Sequence, residues 1–261
     1  MEDDVDMKKI AVITGASSGL GREFALQIAR HYKTVQEIWI IARRTDRLDN
    51  LKKEIKEISD KTVRVLTLDL SKQSDIDFYK KLLERQHAGI RVLVNAAGFG
   101  VMGHVDKISY EDSVDMVDLN CRALIAMTHI SLPYMTYPSN IINMASSAAF
   151  MPQPSFAVYA ATKSLVLSFS RALNQEMAGK GVTVTAVCPG PVDTEFFDRA
   201  QVYAQMIPVK KYFLVKPEDV VRKALTDAYH GKEMSVYGVA MNAFRGLTSV
   251  IPTSVILKFF N

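Results

Sequence analysis

The sequence predicts an α/β protein: one doubly wound domain over residues 1–261, built on a central parallel seven-stranded sheet flanked by helices. Three observations carry this expectation. Short β-branched runs alternate with amphipathic helical stretches along the chain, the pattern of β-α units joined by right-handed crossovers. A glycine cluster, TGASSGLG (14–21), stands between the first such run and the first helical stretch, where a doubly wound fold turns tightly. No linker and no repeat of solenoid period interrupts the 261 residues, a length that one large α/β domain fills.

The elements follow in order. KIAVIT (9–14) is a β-branched run suited to a strand buried on both faces. REFALQIARHY then repeats Phe24, Ala25, Ile28 and Ala29 at helical spacing. EIWIIA (37–42) is a second buried strand, and RLDNLKKEIKEI sets Leu48, Leu51, Ile55 and Ile58 on one helical face. VRVLTLDL (63–70) is a third strand, followed by a polar helix around 72–87 and a fourth strand, RVLVNAAG (91–98). NIINMASS (140–147), VTVTAVCPG (182–190) and EMSVYG (233–238) supply the fifth, sixth and seventh. KPEDVVRKAL opens a late helix, with Pro217 near its start and acids in its first turn. The apolar stretch over about 240–261 reads as a docking helix, an oligomer contact or a peripheral membrane contact.

Composition narrows the function. A hydrophobic share of 48% and a charged share of 23% are ordinary for a globular chain. The net charge is +4, and the Lys and Arg are interspersed with Asp and Glu, so no basic stripe points to nucleic acid. Five histidines without an H-x-x-x-H pattern give no expectation of a metal site. Cys121 and Cys188 lack C-x-x-C spacing, which fits a reducing, cytoplasmic setting. The acidic start MEDDVDMKKI is wrong for a signal peptide, and no apolar run is long enough to span a membrane.

The glycine turn has its own chemistry. Gly15 permits the tight turn, Gly19 leaves room for a phosphate beside the backbone, and Gly21 lets the helix pack close to the strand. The free N–H groups and positive dipole end of the helix suit a pyrophosphate, with Ser17, Ser18 and Leu20 completing the turn. The plainer alternative is a glycine-rich turn with no ligand.

The spacing is G-x-x-x-G-x-G, and here a resemblance becomes specific. Thr14, Gly15, Gly19 and Gly21 resemble the T-G-x-x-x-G-x-G signature of the short-chain dehydrogenase/reductase family, whose domain is Rossmann-like. The later motifs fall in that family's order along nearly the whole chain: NAAG (95–98), Asn120, Ser146, Tyr159 with Lys163, and PG (189–190). The resemblance implies a nicotinamide cofactor, with Asn95, Ala96, Ala97 and Gly98 lining its adenosine and Asp69 on the adenine edge beside Leu70.

Which nicotinamide cofactor is read from ARRTDR. Arg43 lies where an Asp or Glu would bind the ribose 2′-hydroxyl of NAD(H), and no acid is there. Arg43 and Arg44 instead suit a 2′-phosphate, which favours NADP(H) over NAD(H). The alternative is a solvated arginine pair at a helix start. Ser17 and Ser18 stand where some NADP-using relatives carry a basic residue.

YAATK (159–163) holds the expected catalytic pair. Residues four apart share a helix face, so Tyr159 and Lys163 point into one cleft. A phenol near pKa 10 exchanges protons poorly at neutral pH, and a neighbouring ammonium lowers that value. Tyr159 is then a general acid for carbonyl reduction and a base for the reverse reaction. By resemblance, Lys163 also holds the nicotinamide ribose, Ser146 orients the substrate oxygen with Ser147 as a competing choice, and Asn120 organises a water chain to Lys163. PGPVDTEF passes the nicotinamide: Thr194 and the Val192 N–H contact its carboxamide, and Pro189 and Gly190 let the chain come close to the ring.

The substrate loop spans about 191–217. Phe196, Phe197, Tyr203, Met206, Ile207, Tyr212 and Phe213 make it aromatic and apolar, and Phe99, Met102, Phe150 and Met151 are candidate walls. Such lining suits a bulky apolar ketone or alcohol: steroid-like, retinoid-like, long acyl or aromatic. The same side chains would equally close a core or an oligomer interface. A 3-oxoacyl-thioester reductase is the alternative enzyme, with Arg199, Lys210 and Lys211 as a basic patch at the mouth. A cofactor-sensing or scaffold protein that has lost turnover is a second alternative, and a nucleotide-sugar epimerase ranks low on length and glycine spacing. The resemblance further implies a homodimer or homotetramer built through helices around 105–135 and 155–178.

Overall fold

Seven parallel strands, β1 (Lys9–Thr14), β2 (Glu37–Ala42), β3 (Thr62–Thr67), β4 (Gly89–Asn95), β5 (Met135–Met144), β6 (Val182–Val187) and β7 (Met234–Ser235), form one sheet in the order β3-β2-β1-β4-β5-β6-β7. The computed structural model describes residues 7–86, 88–204 and 214–258. The helices are α1 (Gly19–His31), α2 (Thr45–Ile58), α3 (Gln73–Gln86), α4 (Tyr110–Val117), α5 (Leu124–Ser131), α6 (Ala157–Met177), α7 (Phe196–Ala200), α8 (Pro217–Tyr229), α9 (Val239–Val250) and α10 (Thr253–Leu257). Among the described residues no helix is long and apolar enough to cross a membrane.

The two-residue period of a strand divides β1 between two cores. Ala11 and Ile13 face Phe24 and Ile28 of α1, Leu51 and Ile55 of α2, and Val220, Val221 and Ala224 of α8. Ile10 and Val12 face the other layer, with Ile76, Tyr79 and Leu83 of α3, Met127 of α5, and Leu173 and Met177 of α6. Burial on both sides explains why the strands read as unbroken apolar runs. Trp39, the chain's one tryptophan, is fully buried in β2. Its ring meets Tyr79 edge-on at 6.4 Å, and its indole N–H donates to Glu37.

The strands end earlier than their sequence runs suggest. The third run stops at Thr67, not residue 70, the fourth at Asn95, not 98, and the sixth at Val187, not 190. The fifth begins earlier, at Met135, and stops at Met144; the seventh shrinks to Met234–Ser235. At β3 the cause is visible. The Asp69 N–H donates to Asp75 Oδ2 (2.7 Å), while the Asp69 carboxylate accepts from Ser71 (3.1 Å from N, 2.7 Å from Oγ). These local bonds draw the backbone off the ladder and into the start of α3. Ile58, expected on the buried face of α2, is 37% exposed at its last turn.

Strand order reverses between β1 and β4. Connections leave in opposite directions there, so a crevice opens beyond the carboxyl ends of the two strands, the usual ligand position in open α/β sheets.

Candidate active site

Thr14 joins the two banks of that crevice. It ends β1, and its Oγ1 accepts from the Ala96 and Ala97 N–H groups after β4 (3.0 and 3.1 Å) while donating to Val94 O (3.4 Å). An orphaned buried amide costs about 1–3 kcal/mol, so this hydroxyl holds both turns in register. Gly15 packs against the same segment at φ +66°, where a Cβ would meet Ala96 backbone at 2.7 Å. At Gly21 a Cβ would stand 2.4 Å from Gly15 O. The start of α1 has no acidic residue in its first turn, and the Ser18 side chain does not cap it. Its first N–H groups therefore face the crevice without a side-chain acceptor.

The crevice is a cleft of about 640 Å³. It brings together nearly all the residues expected at a cofactor: Gly15, Ser17, Ser18, Gly19, Leu20, Gly21, Arg43, Arg44, Asp69, Leu70, Ala96, Ala97, Gly98, Pro189, Gly190, Val192 and Thr194, with Ser146, Tyr159 and Lys163. Uncapped helix N–H groups, a side-chain-free glycine turn and an arginine at the far wall fit a dinucleotide.

Two expected site residues lie beneath the cleft. Asn95, 3% exposed, was expected beside the adenosine. Its amide instead donates to Thr128 Oγ1 and Asn143 Oδ1 (2.9 Å each), tying β4 to α5 and β5. Asn120, 1% exposed, sits in a π-helical turn (Asp118–Ala123) between α4 and α5 rather than in a regular helix. It accepts from Phe99 N (3.0 Å) and donates to Phe99 O (2.8 Å) and Thr162 Oγ1 (3.1 Å). It thereby fixes the turn after β4 against α6.

The arginine pair divides its work. Arg44 donates to Ser18 Oγ (2.8 Å), Ser17 Oγ (3.1 Å) and Glu195 (3.1 Å), and Arg47 also bonds Glu195. Arg44 is thus engaged with the glycine turn and bridges to the loop after β6. Among the described residues Arg43 makes no such bond and lines the cleft as the free cation of the pair. The Asp69 carboxyl lies below its usual range despite burial, which raises it, because Ser71 hydrogen bonds and then the Arg43 charge outweigh that burial.

Tyr159 and Lys163, both buried, emerge side by side from the first turns of α6 at the wall of the cleft. Phe156 stacks on the Tyr159 ring (4.2 Å between centroids, 19° interplanar), and Phe196 of α7 tilts onto it at 5.5 Å. Ser146 Oγ takes the Ala148 N–H (3.1 Å) and lies close enough to the phenol to draw its pKa down. Ser147 donates its N–H to Pro189 O (2.8 Å). Both serines line the cleft, and Ser146 is the one that influences the phenol's proton. Lys163 Nζ lies 5.5 Å from the centre of the Tyr159 ring and donates to Met144 O (2.7 Å).

The titration of this pair corrects an expectation. An ammonium beside the phenol was expected to lower the Tyr159 pKa. Burial dominates instead and pushes it up to about 12, with only the Ser146 bond pulling it back. Burial likewise lowers Lys163 from 10.5 to about 8. Burial penalises the charged form of each group and so favours neutrality in both. The folded Lys163 value lies below the unfolded one. Between pH 8 and 10.5 the unfolded chain holds a proton that the folded chain has released, so stability rises with pH across that window. Lys163→Met is expected to flatten that rise in thermal-unfolding scans from about pH 7 to 10; an unchanged slope would mean that Lys163 is not dry.

The apolar end of the cleft is only partly the one expected. Phe99, Met102, Phe196 and Phe197 line it. Phe150 packs against Phe244 instead (6.4 Å), Met151 is buried away from the lining, and Tyr203 turns outward to donate to Asp112 (3.0 Å). Met206, Ile207, Lys210, Lys211, Tyr212 and Phe213 lie outside the described residues. Phe156, Gln153, Met241, Phe244 and Glu195 were not foreseen. Phe156 had a signal, standing three residues before Tyr159 and hence on the same helix side. Met241 and Phe244 had none, because α9 returns to the cleft from far along the chain. Among the described residues no group of His, Cys, Asp and Glu is arranged to hold a metal.

Comparison with known proteins gives consistent relatives. Residues 9–202 match the family model described as short chain dehydrogenase. A Staphylococcus epidermidis protein named an uncharacterized oxidoreductase is 30% identical over 222 residues, 82% of this chain and 94% of the relative. A short-chain dehydrogenase from Sphingobium yanoikuyae, solved in complex with NADPH, superposes with a TM-score of 0.78 at 28% identity, covering 94% of this chain and 96% of the other. The bulky-bulky ketone specific alcohol dehydrogenase from Comamonas testosteroni gives a TM-score of 0.73 at 26% identity, covering 93% and 94%.

Proposed function

The chain belongs to the short-chain dehydrogenase family, and from that premise we propose that it is an NADP(H)-dependent enzyme interconverting a bulky apolar ketone and its secondary alcohol. Membership already makes it an oxidoreductase of the CH–OH/C=O class. The observation that carries the narrower reading is the setting of Tyr159. It lines the cleft together with Ser146, its ring is packed by Phe156 and Phe196, and Lys163 lies one turn further along α6.

A bound NADPH would supply hydride to the carbonyl carbon. The protein's part is to hold the oxygen and furnish the proton. Ser146 and Tyr159 present two hydroxyls to one substrate oxygen. The phenol, pushed up to about 12, keeps its proton at neutral pH and is ready to give it. Lys163 anchors the base of the site through Met144 O and is placed to bind ribose hydroxyls. Phe99, Met102, Phe156, Phe196 and Phe197 exclude water and favour a bulky apolar body. The likeness to an alcohol dehydrogenase specific for bulky-bulky ketones supports that substrate class. Val114, Val117, Ile125 and Leu165 stay exposed on α4 to α6 and support a homodimer or homotetramer built through those helices.

Arg43 is the test of the cofactor. As the unengaged cation on the wall, it is assigned the 2′-phosphate, with Arg44 holding the turn beside it. Fluorescence titration is expected to show NADPH bound more tightly than NADH. Arg43→Ala should weaken NADPH about tenfold or more, the scale of one charge-assisted contact, and leave NADH within about twofold. Equal affinities in the parent protein would remove the NADP assignment.

A further inference from the structure

Arg199 stands out at the apolar end of the cleft. Its guanidinium lies over the Phe99 ring, 3.4 Å from the centroid, and it lines the cleft with Phe99, Phe156, Phe196 and Phe197. Stacking fixes the plane of the group but uses none of its five N–H donors. Among the described residues no hydrogen bond or ion pair takes any of them. Asp112 and Asp115 attract the group only at longer range. Asp112 Oδ2 is already engaged by the Tyr203 hydroxyl. Burial, and then the like charge of Arg43, lower the Arg199 pKa. Asp198 and Glu195 also line the cleft, and neither is hydrogen-bonded or ion-paired to Arg199 among the described residues. A half-buried guanidinium that stacks on an aromatic face and lines a cleft is a fork for a planar anion.

We infer that Arg199 is a specificity-determining residue that selects apolar ketones and alcohols carrying a carboxylate, the acid group binding its guanidinium while the carbonyl lies at Tyr159 and Ser146. The inference rests on the reduction reaction proposed above. It divides the substrate into an apolar body held by the phenylalanines and an acid end held by one cation. The short helix that bears Arg199 also bears Phe196, which touches Tyr159. An anion drawn to Arg199 would therefore seat the same element that closes the apolar wall over the phenol.

The test uses the full chain with NADPH and three aryl keto acids of increasing tether, 4-oxo-4-phenylbutanoate, 5-oxo-5-phenylpentanoate and 6-oxo-6-phenylhexanoate, each beside its methyl ester. Steady-state rates and calorimetric binding are read for the parent, Arg199→Gln and Arg199→Lys, with the NADPH dissociation constant measured in each. At one tether length, the acid is expected to show a KM and a dissociation constant about tenfold or more below its ester. Arg199→Gln should abolish that ratio with NADPH affinity little changed, and Arg199→Lys should restore part of it. Equal values for acid and ester in the parent would overturn the inference. So would a weakened NADPH in Arg199→Gln with the acid-to-ester ratio intact, which would assign Arg199 to a cofactor phosphate. Turnover of neutral aryl ketones without turnover or binding of any acid would overturn it while leaving the reductase reading in place. Absence of NADPH binding to the parent would instead count against the reductase reading and this inference together.

Discussion

Tyr159→Phe is expected to lower the rate of carbonyl reduction about a thousandfold, within the 10²–10⁴ range ascribed to a positioned proton donor, while NADPH binds within about twofold of its parent affinity. The substitution removes one oxygen from a ring that Phe156 and Phe196 hold in place, so the packing survives. With the phenol 7% exposed, bulk water has little access to substitute as donor. The direction of its pKa adds a second expectation. A group at about 12 stays protonated through the neutral range, so reduction should be nearly flat in pH there, while oxidation, which needs the phenolate, should climb toward alkaline pH. Steady-state rates in both directions, with a cofactor titration of the variant, check the two together. A variant retaining a tenth of the parent rate would show that another group delivers the proton.

Gly21→Ala is the second large effect. The new methyl group would stand 2.4 Å from Gly15 O and 2.7 Å from Gly15 C, both backbone atoms that no rotamer change can move aside. Either α1 shifts away from β1, or the turn between Thr14 and Gly19 opens. Forcing an atom into packed space costs about 1–3 kcal/mol, and at about 1.4 kcal/mol per tenfold NADPH affinity should fall about ten- to a hundredfold. Tm should fall with it, since the helix that moves also carries Phe24 and Ile28 into the core. A parent-like titration curve would mean that the helix start plays no part in holding the cofactor.

Much of this was legible in the sequence, and the boundary between what was and what was not is physical. Doubly buried strands must be apolar throughout, so each announced itself, and a parallel order follows from the helices between them. The glycines were legible because backbone meets backbone at Gly15 and Gly21, a requirement that no other residue type satisfies. The strand ends were overrun, because Leu68 and Leu70 continue the apolar alternation of β3 and Ala96–Gly98 are as small as strand residues. Only the Asp69–Asp75 and Thr14–Ala96 bonds reveal that the chain has left the sheet. Tyr159 and Lys163 were legible as a pair four apart on a helix. Their protonation was not, because burial sets it, and part of the packing around Tyr159 comes from Phe196, on a different helix and 37 positions further along. Arg44 and Glu195 illustrate the same limit. In one dimension Arg44 reads as a partner of the 2′-phosphate and Glu195 as an ordinary loop charge, and only folding sets them face to face.

The two halves of the cleft are encoded in different stretches of chain. The turns that fit a dinucleotide follow β1 to β6, and the matched family region ends at residue 202. Met241 and Phe244, which wall the apolar end, belong to α9, and none of that helix's residues is buried in the sheet's cores. Apart from Met241, which packs against the cluster of Ala186, Cys188 and Val236, variation in α9 can proceed without disturbing a core side chain or the proton-donating set. Such a chain can exchange one substrate for another by small heritable steps, each leaving a folded enzyme behind it.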